Sequence, residues 1–243
     1  RSQMIEWIVN IVDHCNFSRS TASIAINFMD RFLMAAEWVL ADRSAFQLAS
    51  ITCLYTAIKI HEPTVLSIES IARLTRNAYR EDQIETMERL ILDSNKWLMN
   101  PSTPFTYSDY LCELVSMMDP RHKFDTLNEL TNLQIESTMK DYELGLLPAS
   151  TVALAAVTNA VDSMDVALPE AQEAIETSLH SLLRADSNHR LQDIRIRLYE
   201  GILTSDASTS VHLTAKKHPT GCSSLAQSFH SPRTVSNLRV VSP

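Results

Sequence analysis

RSAFQLASITCLYTAIKIHE, residues 43–62, is the stretch on which the fold turns. Phe46, Leu48, Ala49, Ile51, Cys53, Leu54, Ala57 and Ile58 wrap most of a helical circumference, and no charge falls between Arg43 and Lys59. A helix apolar all round needs others packed about it, so this one belongs at the centre of a bundle. Pro63 ends it, because the residue before a proline is pushed out of helical backbone.

Apolar positions recur at helical spacing on both sides of this segment. Helices are expected at 3–15, 19–36 (with Ser18 as N-cap), 43–62, 67–75 and 80–98. Pro101 and Pro104 then mark a linker over 100–106. A second set follows at 107–118, 125–146, 150–164, 169–185 and 188–203. The expected fold class is therefore all-α: an N-terminal helical domain at 1–99, a second at 107–203, and a tail at 204–243. That tail is rich in Ser and Thr, lacks helical periodicity, and sets Lys216, Lys217, Arg233 and Arg239 against Asp206 alone. It reads as disordered, having too little apolar surface to offset ordering entropy.

Composition narrows the function. Of 243 residues only 3 are glycine (Gly145, Gly201 and Gly221), which excludes a glycine-rich dinucleotide turn and a P-loop. The net charge of −8 argues against a general nucleic-acid binder. No apolar run is long enough to span a bilayer, and no signal-peptide pattern opens the chain. The 4 cysteines are scattered, without a C-x-x-C pair, and read as reduced thiols of an intracellular protein. The 8 histidines show no metal-binding spacing, so neither a metal nor another cofactor is expected. The chain does not begin with Met and opens inside an amphipathic helix, which reads as a fragment.

The residues that stand out are charges on apolar faces. Lys59 closes the central helix, Glu88 shares a stripe with Ile84, Met87, Ile91 and Leu92, and Asp30 sits between Met29 and Phe32. Each also has a plain structural reading: Lys59 as a helix-end cation, Glu88 at the edge of its stripe, Asp30 paired with a nearby cation or turned to water.

Arg1 with Met4-Ile5-x-Trp7, Met29-Asp30-Arg31-Phe32-Leu33, Phe46-Gln47-Leu48, Ala57-Ile58-Lys59-Ile60-His61-Glu62 and Met87-Glu88 together resemble the cyclin box. The spacing agrees as well: Arg1, Asp30, Lys59 and Glu88 follow one another at intervals of 29, with Leu48 in register. The region from Leu130 to Ala156 looks more loosely like a second cyclin fold, and the whole pattern lies nearest the mitotic and D-type groups. The resemblance implies two tandem five-helix cyclin folds. It also implies a regulatory subunit, not itself an enzyme, that binds a cyclin-dependent kinase and activates it by positioning helix C and the activation loop. Lys59 and Glu88 would contact kinase backbone, with Ile60, Glu62, Leu92 and Trp97 around them, while Arg1 and Asp30 would form a structural ion pair. Nuclear or cytoplasmic residence is implied, with the kinase as partner, kinase substrates or inhibitors as further ones, and neither nucleic acid nor membrane.

Departures from the family pattern matter. Met4, Trp7 and Gln47 fit a substrate-docking patch, but Gln3 stands where an aliphatic residue is usual and Asn10 where an acid is usual. Met4 and Trp7 read equally as packing residues. Ile60-His61-Glu62 replaces an aromatic followed by two acids. Ser231-Pro232 and Ser242-Pro243 suit proline-directed kinases, making Ser231 and Ser242 candidate phosphorylation sites. The alternative reading is a cyclin-fold adaptor in transcription, which activates no kinase and has no reason to keep Lys59 and Glu88 in register.

Overall fold

The computed structural model describes residues 1–64, 66–118, 124–164 and 188–209, with single positions at 177 and 181. These fall into two compact units, the first ending at Pro101 and the second beginning at Ser102. The described residues are helical and contain no strand, so the fold class is all-α as the sequence leads one to expect.

The first unit comprises α1 (Ser2–His14), α2 (Arg19–Ala35), α3 (Trp38–Ala41), α4 (Arg43–His61), α5 (Ile68–Leu74) and α6 (Glu81–Ser94). Every residue of α4 from Ala49 to Ile58 is buried, as its all-round apolar surface demands. It packs against α1, α2, α3, α5 and α6. Capping side chains start the helices around it. Ser18 Oγ accepts from Ser20 N at the head of α2, and Asp42 accepts from Ser44 N at the head of α4. Glu62, held extended before Pro63, ends α4.

The second unit comprises α7 (Pro104–Met118), α8 (Phe124–Thr138), α9 (Tyr142–Gly145), α10 (Ala149–Ser163) and α11 (Asn188–Thr209). Here α10 takes the central place: Val152 to Val161 is buried without a break, packed on α7, α8 and α11. Gly201 marks a close approach of α11 to α8, since a Cβ there would lie 2.8 Å from Ser137 Oγ.

Several boundaries differ from those read in the sequence. The short α3 is additional, and α6 stops at Ser94, four residues before its expected end at Leu98. The expected helix over 125–146 breaks in two, because Asp141 accepts from Glu143 N and Leu144 N and starts a new turn. Helix α7 opens at Pro104, whose fixed φ suits a first helical position, so only 100–103 of the expected linker is non-helical. Helix α11 runs to Thr209, making the first six residues of the expected disordered tail helical. The remainder of that tail, including Ser231 and Ser242, lies outside the described residues, as does the expected helix at 169–185 apart from positions 177 and 181.

Cys15 is partly exposed, whereas Cys53 and Cys112 are buried. Burial pushes the Cys53 thiol far up, with Asp30 adding to the effect and Arg31 opposing it. Burial likewise carries Cys112 to about 11, despite the opposing hydrogen bond with Thr131. The thiolate is the reactive form, so at pH 8 iodoacetamide is expected to label Cys15 well ahead of Cys53 and Cys112. Peptide mass spectrometry of the folded chain checks this, and equal rates at the three positions contradict it.

Candidate functional site

Lys59 occupies the last turn of α4, and Glu88 lies in the middle of α6, the helix packed beside it. Lys59 Nζ is 3.3 Å from both Glu88 carboxylate oxygens. The Lys59 side chain is 48% exposed and that of Glu88 13%, so the pair meets at the surface and is not sealed inside. An ammonium has three protons and a carboxylate about four acceptor positions, so both groups keep hydrogen-bonding capacity for a third party.

Two residues beneath the pair complete its setting. Lys59 Nζ stands 5.5 Å from the centroid of the Tyr55 ring, one turn back along α4. Thr56 Oγ1 lies 3.4 Å from Glu88 Oε1, though its better bond, at 2.9 Å, is to Thr52 O. Burial raises the Tyr55 phenol above its ordinary range, with Lys59 opposing and Glu88 and Glu85 adding, so it stays neutral beside the pair. Sequence reasoning passed over both residues, although spacings of four and three from Lys59 signalled them.

The apolar residues expected to accompany the pair differ in exposure. Ile60 and Trp97 are exposed, the latter at 66%, and Leu92 is partly exposed. Trp97 owes its position to an abrupt end of α6. Lys96 and Trp97 both adopt left-handed backbone, with φ of 53° and 57°. That conformation is unfavourable for residues with a Cβ, by about 1–2 kcal/mol each. Trp97 N donates to Leu92 O and Lys96 N to Asp93 O, which satisfies the last carbonyls of the helix. Trp97 Nε1 also donates to Asp93 Oδ1, at 3.3 Å.

Glu62 stands apart from this group. Its carboxylate accepts from Ser18 N at 2.9 Å and from the Thr21 hydroxyl, tying the end of α4 to the start of α2. Negative charge is favourable at a helix N-terminus. Glu62→Ala is expected to lower the stability of the first unit by about 1 kcal/mol, measured by hydrogen exchange of amides in α2 and α4.

Arg1 and Asp30 form a bidentate pair, Nε to Oδ1 at 3.0 Å and Nη2 to Oδ2 at 2.6 Å, joining the start of α1 to α2. Met4, Trp7 and Gln47 are buried, at 5%, 4% and 7% exposure, because they lie on the core-facing sides of α1 and α4. They offer little surface of their own. A depression of about 360 Å³ is lined by Arg1, Gln3, Met4, Arg43, Phe46 and Gln47; Trp7 is not among its lining residues. Gln47 Oε1 accepts from the Tyr79 hydroxyl at 3.3 Å. Among the described residues no cluster of three or more His, Cys, Asp or Glu could hold a metal, and no helix is long and apolar enough to cross a membrane.

Comparison with known proteins gives this arrangement a context. Residues 1–100 match the family described as the cyclin N-terminal domain. The chain is 28% identical over 166 residues to cyclin-D3-1 of Arabidopsis thaliana, covering 68% of this chain and 44% of that protein. It is 26% identical over 162 residues to the G1/S-specific cyclin-E1 of Danio rerio, covering 63% of this chain and 39% of that protein. The chain thus spans about half, or less, of the length of these curated relatives. Among solved structures it is similar to a viral cyclin from herpesvirus saimiri, with a TM-score of 0.65, 12% identity and 83% of each chain covered. It is also similar to a chain of the CAK complex from Chaetomium thermophilum bound to ATP-gamma-S, with a TM-score of 0.57 and 15% identity, covering 85% of this chain and 62% of that one. At such identities the structural likeness shows the fold alone.

Proposed function

We propose, from the premise that this chain belongs to the cyclin family, that it is a regulatory subunit which binds a cyclin-dependent kinase and activates it. The observation that supports this best is the surface pairing of Lys59 with Glu88, in a unit that also exposes Ile60 and Trp97 and partly exposes Leu92. The lysine offers donors to main-chain carbonyls and the glutamate offers acceptors to main-chain amides, so the pair reads a backbone in one direction. The surrounding apolar surface supplies most of the affinity.

The chain itself performs no chemistry in this reading. Efficient phosphoryl transfer requires an ion pair between a kinase lysine on strand β3 and a glutamate of its helix C. A subunit that binds the helix-in form more tightly shifts the kinase toward it by that difference in affinity. Moving a population from 1:99 to 99:1 takes about 5.5 kcal/mol of differential binding, which an apolar interface around two backbone-reading charges can supply. The activation loop is drawn from the cleft by the same movement. Glu62 is engaged with the start of α2, and any substrate docking falls to the depression lined by Gln3 and Arg43. Ser231 and Ser242 are proposed as sites for the partner kinase, where phosphate would offset the basic tail.

Titrating the purified chain into a panel of recombinant monomeric cyclin-dependent kinases tests the proposal, with histone H1 phosphorylation as the signal. At least one kinase is expected to gain 100-fold or more in rate. Tight binding to one or more of these kinases with no gain in rate from any of them contradicts activation and leaves the adaptor reading.

A further inference from the structure

Residues 95–99, which carry Trp97, are held to the rest of the first unit by side chains from two other helices. Arg31 of α2 donates from Nη2 to Leu98 O at 2.7 Å, and His61 of α4 is 2.8 Å from Met99 O through Nε2. A carbonyl only accepts, so His61 Nε2 carries the proton. Two consecutive carbonyls are thus clipped by two different helices. A third bond runs the other way, with Asn95 Nδ2 donating to Phe28 O at 3.3 Å.

All three bonds converge on Phe28, which is fully buried in α2. The Arg31 guanidinium carbon stands 5.7 Å from the centroid of its ring, and the His61 ring 6.4 Å away at a tilt of 42°. The apolar ring thus lies beside both of the polar groups that clip the carbonyls. The clipped segment needs such support. Lys96 and Trp97 are left-handed without being glycine, and Trp97 presents a large apolar surface to water. Left alone, residues 95–99 would relax toward right-handed backbone and carry the indole elsewhere.

We propose that His61 and Arg31 are positioning residues of the docking surface: by clipping Met99 O and Leu98 O they preset Trp97 for the kinase. The proposal rests on the kinase-docking reading and deepens it. It also gives a use to His61, which stands where the family pattern has an acid. Presetting matters because an ordering cost met during folding is not charged again at binding.

The test incorporates 5-fluorotryptophan into the full chain, whose three tryptophans are Trp7, Trp38 and Trp97. The ¹⁹F resonance that Trp97→Phe abolishes belongs to Trp97. In His61→Phe with Arg31→Met, that resonance is expected to shift and narrow toward the free-indole position, while those of Trp7 and Trp38 stay put. Affinity for the panel kinase that responds best to the wild-type chain is expected to fall 5- to 30-fold. His61→Gln alone, which keeps an N–H donor, is expected to keep most of the affinity. Introducing His61→Phe into a Trp97→Ala chain is expected to cost nothing further, because the residue it positions is gone.

An unmoved Trp97 resonance overturns the proposal. So does an undiminished affinity in the double variant, or an equal loss from His61→Phe with and without Trp97. If the double variant fails to fold, the single His61 variants and the Trp97→Ala background decide by the same criteria. Failure of the wild-type chain to bind any kinase overturns the docking reading and this proposal with it, and is recognised because the wild type itself is silent.

Discussion

Lys59→Ala with Glu88→Ala is expected to weaken kinase binding about 100- to 1,000-fold and to abolish activation at concentrations where the wild-type chain saturates. Each truncation leaves a kinase main-chain group desolvated and unpaired, at about 1–3 kcal/mol, and the two together come to roughly 3–4 kcal/mol. The single variants should each cost less than the pair, but their effects should not add, because Lys59 and Glu88 touch one another. Glu88→Ala leaves Lys59 with ample access to water, at 48% exposure. Lys59→Ala strands a carboxylate that is only 13% exposed, so it is also expected to lower stability slightly. Isothermal titration with the responsive kinase reads the affinity, and far-ultraviolet circular dichroism confirms that the helices remain. Affinity within threefold of the wild type in a folded double variant contradicts the assignment.

Phe28→Ala is expected to be the most damaging core substitution in the first unit, at about 3–5 kcal/mol. The ring is fully buried, and its removal leaves a cavity beneath Arg31 and His61, whose contacts with residues 98 and 99 lose their support. Loss of stability and loss of the Trp97 geometry are therefore expected together. Phe28→Leu, which keeps most of the volume, should cost less than half as much. The chain contains two compact units, so the transition belonging to the first must be followed on its own, by hydrogen exchange of amides in α2 and α4. A loss under 1 kcal/mol at those amides contradicts the packing described here.

How much of this was legible beforehand depends on how far each cause lies from its effect along the chain. Helix α4 was legible because its reason is local: ten consecutive buried residues have no polar face to give away. The meeting of Lys59 and Glu88 was accessible only through the regular spacing of 29 residues, since nothing in either segment names the other. The end of α6 was not legible, because the left-handed stop falls on Lys96 and Trp97, where no glycine announces it. The break after Thr138 was missed for a different reason, a capping acid at Asp141 sitting inside an apolar pattern that read as continuous. The engagement of Glu62 with Ser18 and Thr21 spans more than forty residues and leaves no mark in local pattern. Met4 and Trp7 read equally as docking and as packing residues, and the structure sinks both side chains into the core.

A crystal structure of the complex with the responsive kinase addresses the central claim most directly. It is expected to place a kinase main-chain carbonyl within 3.2 Å of Lys59 Nζ and a main-chain amide within the same distance of Glu88, with the indole of Trp97 covered. A kinase seated elsewhere, with Lys59 and Glu88 left in water, would contradict it.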